Sequence, residues 1–200
     1  MTKIKLCGLK RPCDIAYANE LAPDYIGFVF AKKSKRYVSP EEAKVLRSRL
    51  QTGIVPVGVF VDEEKELVAK LVKQNIIEAV QLHGQETEEY IQELRTMVSC
   101  PIIKAFRMES DADVAAAKES LADYVLLDSG GGSGATFDWS MLKEMNRPYF
   151  LAGGLTSENV AEAIRKLQPF AVDASSSLET GGVKDRDKMM NFVQVVRENN

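Results

Sequence analysis

Short apolar runs rich in β-branched and aromatic residues recur along the chain at near-regular intervals, and segments of helical period separate them. The runs predict strands over Lys3–Cys7, Tyr25–Phe30, Val55–Val61, Ala79–His83, Ile102–Phe106, Tyr124–Asp128, Tyr149–Ala152 and Ala171–Ser175. The intervening segments predict helices over Pro12–Leu21, Pro40–Leu50, Glu63–Gln74, Thr87–Val98, Ala112–Leu121, Trp139–Met145, Ser157–Leu167 and Asp187–Glu198. Cap chemistry marks several helix starts: Ser39 precedes Pro40 with Glu42 three residues on, the pattern of a capping box, and Thr156 precedes an amphipathic run.

Strict alternation of strand and helix implies a parallel sheet with right-handed crossovers. Eight near-equal units of about 25 residues fill the chain, so the expectation is one domain spanning 1–200 with no second domain and no long linker. An open doubly wound sheet would accommodate eight strands. Closure fits better, because each unit has the size of one βα step and the total is near the lower limit of about 200 residues for such a ring. The predicted fold is a compact α/β protein, a (β/α)8 TIM barrel.

Composition narrows the partners. The 200 residues are 45% hydrophobic and 28% charged, and 26 Lys plus Arg against 29 Asp plus Glu give a net charge of −3. No basic excess marks a nucleic-acid surface. The longest apolar stretch, Tyr25–Ala31, falls far short of the roughly 20 residues that cross a bilayer. The amino terminus lacks an apolar signal core. The expectation is a cytoplasmic protein with no nucleic-acid or membrane partner. Cys7, Cys13 and Cys100 are odd in number and form no CxxC pair, so they read as reduced thiols rather than zinc ligands.

In a parallel barrel the chemistry lies at the carboxyl ends of the strands. Those ends are polar here: Cys7-Gly8, Gln81-Leu82-His83-Gly84, Asp128-Ser129-Gly130, Gly153-Gly154 and Asp173-Ala174-Ser175-Ser176-Ser177. Side chains alternate faces, so if Cys7 points inward Lys5 does too, as Gln81 does with His83. Gly130–Gly134 lacks the Lys-Ser/Thr of a Walker loop. It satisfies a GxGxxA pattern, but no helix follows at once and no ribose-binding acid ends the next strand, against a dinucleotide site. Small-residue loops after strands six, seven and eight together point to a bound phosphate, which barrels of this kind hold at helix amino termini after strands seven and eight.

Each residue also has a plain structural reading. Cys7 is either a small core hydrophobe or a reactive thiol. His83 is the single histidine and lacks ligand-spaced partners, so no metal is expected. Asp128 is a turn cap or, favoured by the cost of a carboxylate at a buried strand end, a working group. Arg36 lies in the charged run Lys32-Lys33-Ser34-Lys35-Arg36 and reads as a solvated charge. Asp173 could anchor Lys5 or Lys104, and Trp139 reads as packing.

Taken in order, the motifs resemble the phosphoribosylanthranilate isomerase family. They are Lys5-Leu6-Cys7-Gly8, Gly27-Phe28-Val29-Phe30, Ser34-Lys35-Arg36-Tyr37-Val38-Ser39-Pro40, Val57-Gly58-Val59-Phe60-Val61, Val80-Gln81-Leu82-His83-Gly84, Leu127-Asp128 with Gly131-Gly132-Ser133-Gly134, Phe137-Asp138-Trp139, Ala152-Gly153-Gly154-Leu155 with Asn159-Val160, Val172-Asp173 with Ser175-Ser176, and Gly182-Val183-Lys184-Asp185. The resemblance implies that Cys7 is a general base, Asp128 a general acid, and Arg36 the grip on an anthranilate carboxylate. His83, Gly131, Gly132, Gly153, Gly154, Asp173, Ser175 and Ser176 are the further substrate-binding candidates. Where the family reads Ser-Ser-Gly-Val-Glu, this chain has Ser175-Ser176-Ser177-Leu178-Glu179, which predicts an altered phosphate loop.

The implied reaction is the Amadori rearrangement of N-(5'-phosphoribosyl)anthranilate to 1-(2-carboxyphenylamino)-1-deoxyribulose 5-phosphate, in tryptophan biosynthesis. It is internal redox with no cofactor, on a small phosphoribosyl substrate, by a monomer or homodimer. Two alternatives are a related histidine-pathway sugar-phosphate isomerase, which would use two aspartates, and a phosphate-binding barrel without catalysis. A nicotinamide or flavin oxidoreductase is a third.

Overall fold

A computed structural model of the chain describes residues 1–128, 139–142 and 145–200. Its eight long strands are β1 (Lys3–Cys7), β2 (Tyr25–Val29), β3 (Val55–Phe60), β4 (Ala79–Leu82), β5 (Ile102–Arg107), β6 (Tyr124–Asp128), β7 (Tyr149–Ala152) and β8 (Ala171–Ala174). All begin where the apolar runs begin, and all end within one residue of expectation. They close in chain order into a parallel barrel, with β8 paired back onto β1 through Lys5↔Asp173. The (β/α)8 reading holds.

Seven α-helices are described: α1 (Pro12–Leu21), α2 (Pro40–Arg47), α3 (Lys65–Lys73), α4 (Glu88–Met97), α5 (Asp111–Glu119), α6 (Val160–Leu167) and α7 (Arg186–Glu198). Local chemistry sets their starts. Ser39 Oγ accepts the Glu42 amide at 3.2 Å while Glu42 Oε2 accepts the Ser39 amide at 2.8 Å, and Pro40 occupies the first helical position. Asp185 accepts the amides of Asp187 and Lys188 at the head of α7. Helix α6 starts at Val160 rather than Ser157, because Asn159 Oδ1 takes the Thr156 amide and holds a separate turn ahead of it.

Two expectations are corrected. The helix expected over Trp139–Met145 is, in its described part, a 3-10 turn at Trp139–Leu142. Pro148 disfavours helical backbone at Arg147, so no helix runs on toward β7. The segment between β8 and α7 is also not simple loop. A 3-10 turn (Ser176–Leu178) leads into a hairpin of β9 (Glu179–Thr180) and β10 (Val183–Lys184), turned by Gly181 and Gly182 at φ 59° and 79°.

Apolar packing divides into layers. Leu, Ile, Val and Phe side chains fill the shell between strands and helices. Inside the ring, Val57, Ile103, Leu126 and Phe150 pack in the middle, and Tyr25, Tyr124 and Phe170 close the amino-terminal end around Phe150. Above them the interior turns polar: Lys5, Gln81 and Asp173 are buried, while Cys7 packs with Val29 and Val59. The sealed apolar base directs access to the carboxyl-end face.

Candidate active site

A cleft of about 990 Å³ opens over the strand carboxyl ends and is lined by Cys7, Arg36, Gln81, His83, Asp128, Gly153, Gly154, Asp173, Ser175 and Ser176 among others. Nine of the eleven residues proposed from the sequence therefore share one concavity. Gly131 and Gly132 lie outside the described residues.

Cys7 ends β1 with its side chain inward. A Cβ on Gly27, the adjacent β2 residue, would stand 2.6 Å from Cys7 Sγ, so only glycine leaves the thiol its place. Burial pushes the Cys7 thiol up, while the nearby Lys5 and Lys184 ammonium groups pull it down; the net displacement is upward. Lys5 is fully buried and its Nζ lies 2.8 Å from Asp173 Oδ2. Burial opposes its charge, but Asp173 and Cys7 outweigh that penalty and hold the ammonium above its ordinary range. Asp173 thus anchors Lys5. Lys104 is paired elsewhere, with Glu86 Oε2 at 2.8 Å and the Gly84 carbonyl at 2.7 Å, which steadies the β4 mouth. Asp173 Oδ1 and Gln81 Oε1 are buried acceptors without a donor among the described residues.

Asp128 ends β6, three strands round the ring from Cys7. His83 Nε2 lies 3.8 Å from Asp128 Oδ2. The Gln81 amide nitrogen, which can only donate, sits 2.9 Å from His83 Nδ1, so in this arrangement the ring proton is on Nε2 and faces Asp128. Burial holds His83 below its ordinary pKa, against the pull of Asp128, so the ring is neutral at pH 7.

Arg36 is not a free solvated charge. Its Nε and Nη2 meet Glu179 Oε1 and Oε2 at 2.6 and 2.9 Å. Gly8, at φ 82°, lets the arginine stem cross the β1 mouth, since a Cβ there would stand 2.4 Å from Arg36 Cδ. Glu179 also accepts from Lys184 Nζ at 2.7 Å, and the same ammonium donates to the Ser175 carbonyl at 2.8 Å. Ser175 Oγ in turn donates to the Cys7 carbonyl at 3.0 Å.

The reading of the sequence missed Glu179 and Lys184. Their signal was the Gly181-Gly182 pair between two short polar segments, which is hairpin chemistry. At the mouth of β7 Gly153 and Gly154 take positive φ of 88° and 66°, a backbone form that glycine adopts without strain. Ser177 sits inside the 3-10 turn without a positive φ, so its place does not require glycine.

A closed parallel barrel with a thiol, a carboxyl group and a paired arginine around one polar cleft is an enzyme of the strand-end type. Comparison with known proteins gives the family. The model of the family described as N-(5'phosphoribosyl)anthranilate (PRA) isomerase matches residues 4–195. A curated N-(5'-phosphoribosyl)anthranilate isomerase from Endomicrobium trichonymphae is 45% identical over 202 residues, covering 98% of this chain and 99% of its own length. The crystal structure of phosphoribosyl anthranilate isomerase from Thermotoga maritima superposes with a TM-score of 0.91 at 37% identity, covering 99% of this chain and all of that one. A phosphoribosyl anthranilate isomerase in complex with reduced 1-(o-carboxyphenylamino)-1-deoxyribulose 5-phosphate gives 0.89 at 36% identity, with coverage of 99% and 100%. The chain belongs to the phosphoribosylanthranilate isomerase family, an isomerase family of tryptophan biosynthesis.

Proposed function

We propose that this chain, as a single barrel domain, converts N-(5'-phosphoribosyl)anthranilate to 1-(2-carboxyphenylamino)-1-deoxyribulose 5-phosphate, with Asp128 as general acid and Cys7 as general base. The observation that carries the reading is that a thiol and a carboxyl group stand on separate strand ends of one cleft in a chain of this family. Asp128 gives a proton to the furanose ring oxygen; the C1–O bond breaks and the anthranilate nitrogen lone pair forms the iminium. The Cys7 thiolate then takes the C2 proton, and that bonding pair becomes the C1–C2 double bond as nitrogen regains its lone pair. Proton gain at C1 and loss from the C2 hydroxyl give the ketone. A thiolate desolvated by its surroundings is a stronger base than one in water, and Lys5 and Lys184 keep ionisation within reach.

Binding divides between the cleft walls. The Arg36 fork keeps Nη1 and a second Nη2 proton for the anthranilate carboxylate while Nε and Nη2 hold Glu179. Amides at Gly153, Gly154, Ser175 and Ser176, with Gly131 and Gly132, take the phosphate. Asp173 and His83 face the ribose. The reaction needs no cofactor, and the enzyme works in the cytoplasm as a monomer or homodimer. No helix among the described residues is long and apolar enough to cross a membrane.

The test is loss of substrate fluorescence on adding purified protein without cofactor or metal. A turnover-free mixture that still binds a phosphorylated product analogue would favour the non-catalytic barrel, and turnover of the histidine-pathway substrate alone would favour that isomerase.

A further inference from the structure

Glu179 follows the barrel strands in sequence, lies outside the ring, and yet reaches Arg36 of the cleft lining, with its own side chain only 10% exposed. Both of its oxygens are engaged by Arg36, and Oε1 also by Lys184, whose side chain is 1% exposed. Burial raises the Glu179 carboxyl, but Arg36 and Lys184 outweigh it and hold the group below its ordinary range, so it is ionised at neutral pH. The stem of Arg36 packs closely over the Gly8 backbone, but the guanidinium beyond it needs a wall of its own to fix its plane. The parallel double bond to a buried carboxylate supplies that wall.

We propose that Glu179, held by Lys184 in the β9–β10 hairpin, is the positioning residue that sets Arg36 in the orientation needed to grip the substrate's ring carboxylate. This rests on the reading of Arg36 as the carboxylate grip. With Nε and one Nη2 proton fixed on Glu179, the guanidinium plane is set and the remaining Nη protons form a pre-aimed edge. The same Lys184 bonds the Ser175 carbonyl, so one buried ammonium ties this grip to the loop after β8. Glu179 acts through Arg36 and touches no reacting atom.

The experiment compares the binding of two product analogues, one with the ring carboxylate and one without, to the wild-type enzyme and to Glu179→Gln, Glu179→Asp and Arg36→Met. Fixing one rotamer-rich side chain in advance corresponds to a gain of roughly 3- to 10-fold in affinity. Glu179→Gln is expected to weaken the carboxylated analogue by about that factor and to leave the other unchanged, raising KM more than it lowers kcat; Glu179→Asp, folded even if the glutamine variant is not, recovers part of the loss. Equal weakening of both analogues would show a merely structural role, and unchanged or tighter binding of the carboxylated analogue would show that Glu179 only neutralises Arg36; either overturns the proposal. If Arg36→Met leaves the preference for the carboxylate intact, the Arg36 reading fails and this inference with it. If Arg36→Met removes that preference and Glu179→Gln does not, the inference alone fails.

Discussion

Lys5 Nζ and Asp173 Oδ2 form an ion pair at 2.8 Å across the β1–β8 junction, where the ring closes, and both side chains are buried. The pair sits between the apolar plug and the cleft, directly below Cys7 in the inward register of β1. It therefore joins barrel closure to the electrostatics of the thiol.

Removing one partner of such a pair leaves an uncompensated buried charge, which costs about 3–5 kcal/mol. Lys5→Met is expected to lose stability on that order in urea denaturation. Because the Lys5 ammonium stabilises the thiolate, its loss also moves the Cys7 pKa further up. The pH profile of Cys7 alkylation by iodoacetamide should shift to alkaline values in the variant, and an unshifted profile would show that Lys5 does not act on the thiol.

Cys7→Ser and Asp128→Asn test the acid and base. Each such group contributes on the order of 10² to 10⁴ in rate. The serine hydroxyl keeps the shape but ionises far less readily than a thiol, so Cys7→Ser should be nearly as inactive as Cys7→Ala, while a phosphorylated product analogue binds both normally. A loss in kcat of less than a few-fold, with circular dichroism unchanged, would remove the assignment and move attention to His83 or Asp173.

The phosphate reading makes a separate claim. Several charge-assisted bonds from the loops after β7 and β8 would be lost together in a product analogue without phosphate. Its dissociation constant, measured by calorimetry, should be far higher than that of the phosphorylated analogue. Equal affinities would place the phosphate elsewhere.

Alkaline stability follows from the same groups. Burial raises the Cys7 and Cys100 thiols in the folded chain above their unfolded values. Between the two values the folded state holds a proton that the unfolded state has released, so stability is complete below the ordinary thiol pKa of ~8.5 and falls as pH rises past it. Urea midpoints should decline from about pH 8 to pH 10, and less steeply in Cys7→Ser, since of the two raised thiols only the half-buried Cys100 then remains. Parallel curves for the two proteins would show that Cys7 does not contribute.

Much of this molecule is local, and local chemistry is written in the chain. The alternation of apolar runs with amphipathic segments set all eight strand starts, because a strand buried on both faces needs a continuous apolar run and a helix over it needs a stripe. Ser39, Pro40 and Glu42 announced α2 because a capping box involves only neighbours. The polar strand ends named Cys7, His83, Asp128 and Asp173, since a parallel barrel exposes those ends and no others.

What the chain could not show was which distant groups meet. Asp173 had two candidate lysines, and the β8–β1 register decided for Lys5, while Lys104 turned to Glu86 beside the β4 mouth. Arg36 read as solvent-exposed because its sequence neighbours are lysines and a serine. Its true neighbour, Glu179, lies 143 residues away and arrives only when the hairpin after β8 folds back over β1 and β2. Charge pattern along a chain describes what a loop carries, but pairing depends on closing a ring, and ring closure is a property of the tertiary structure.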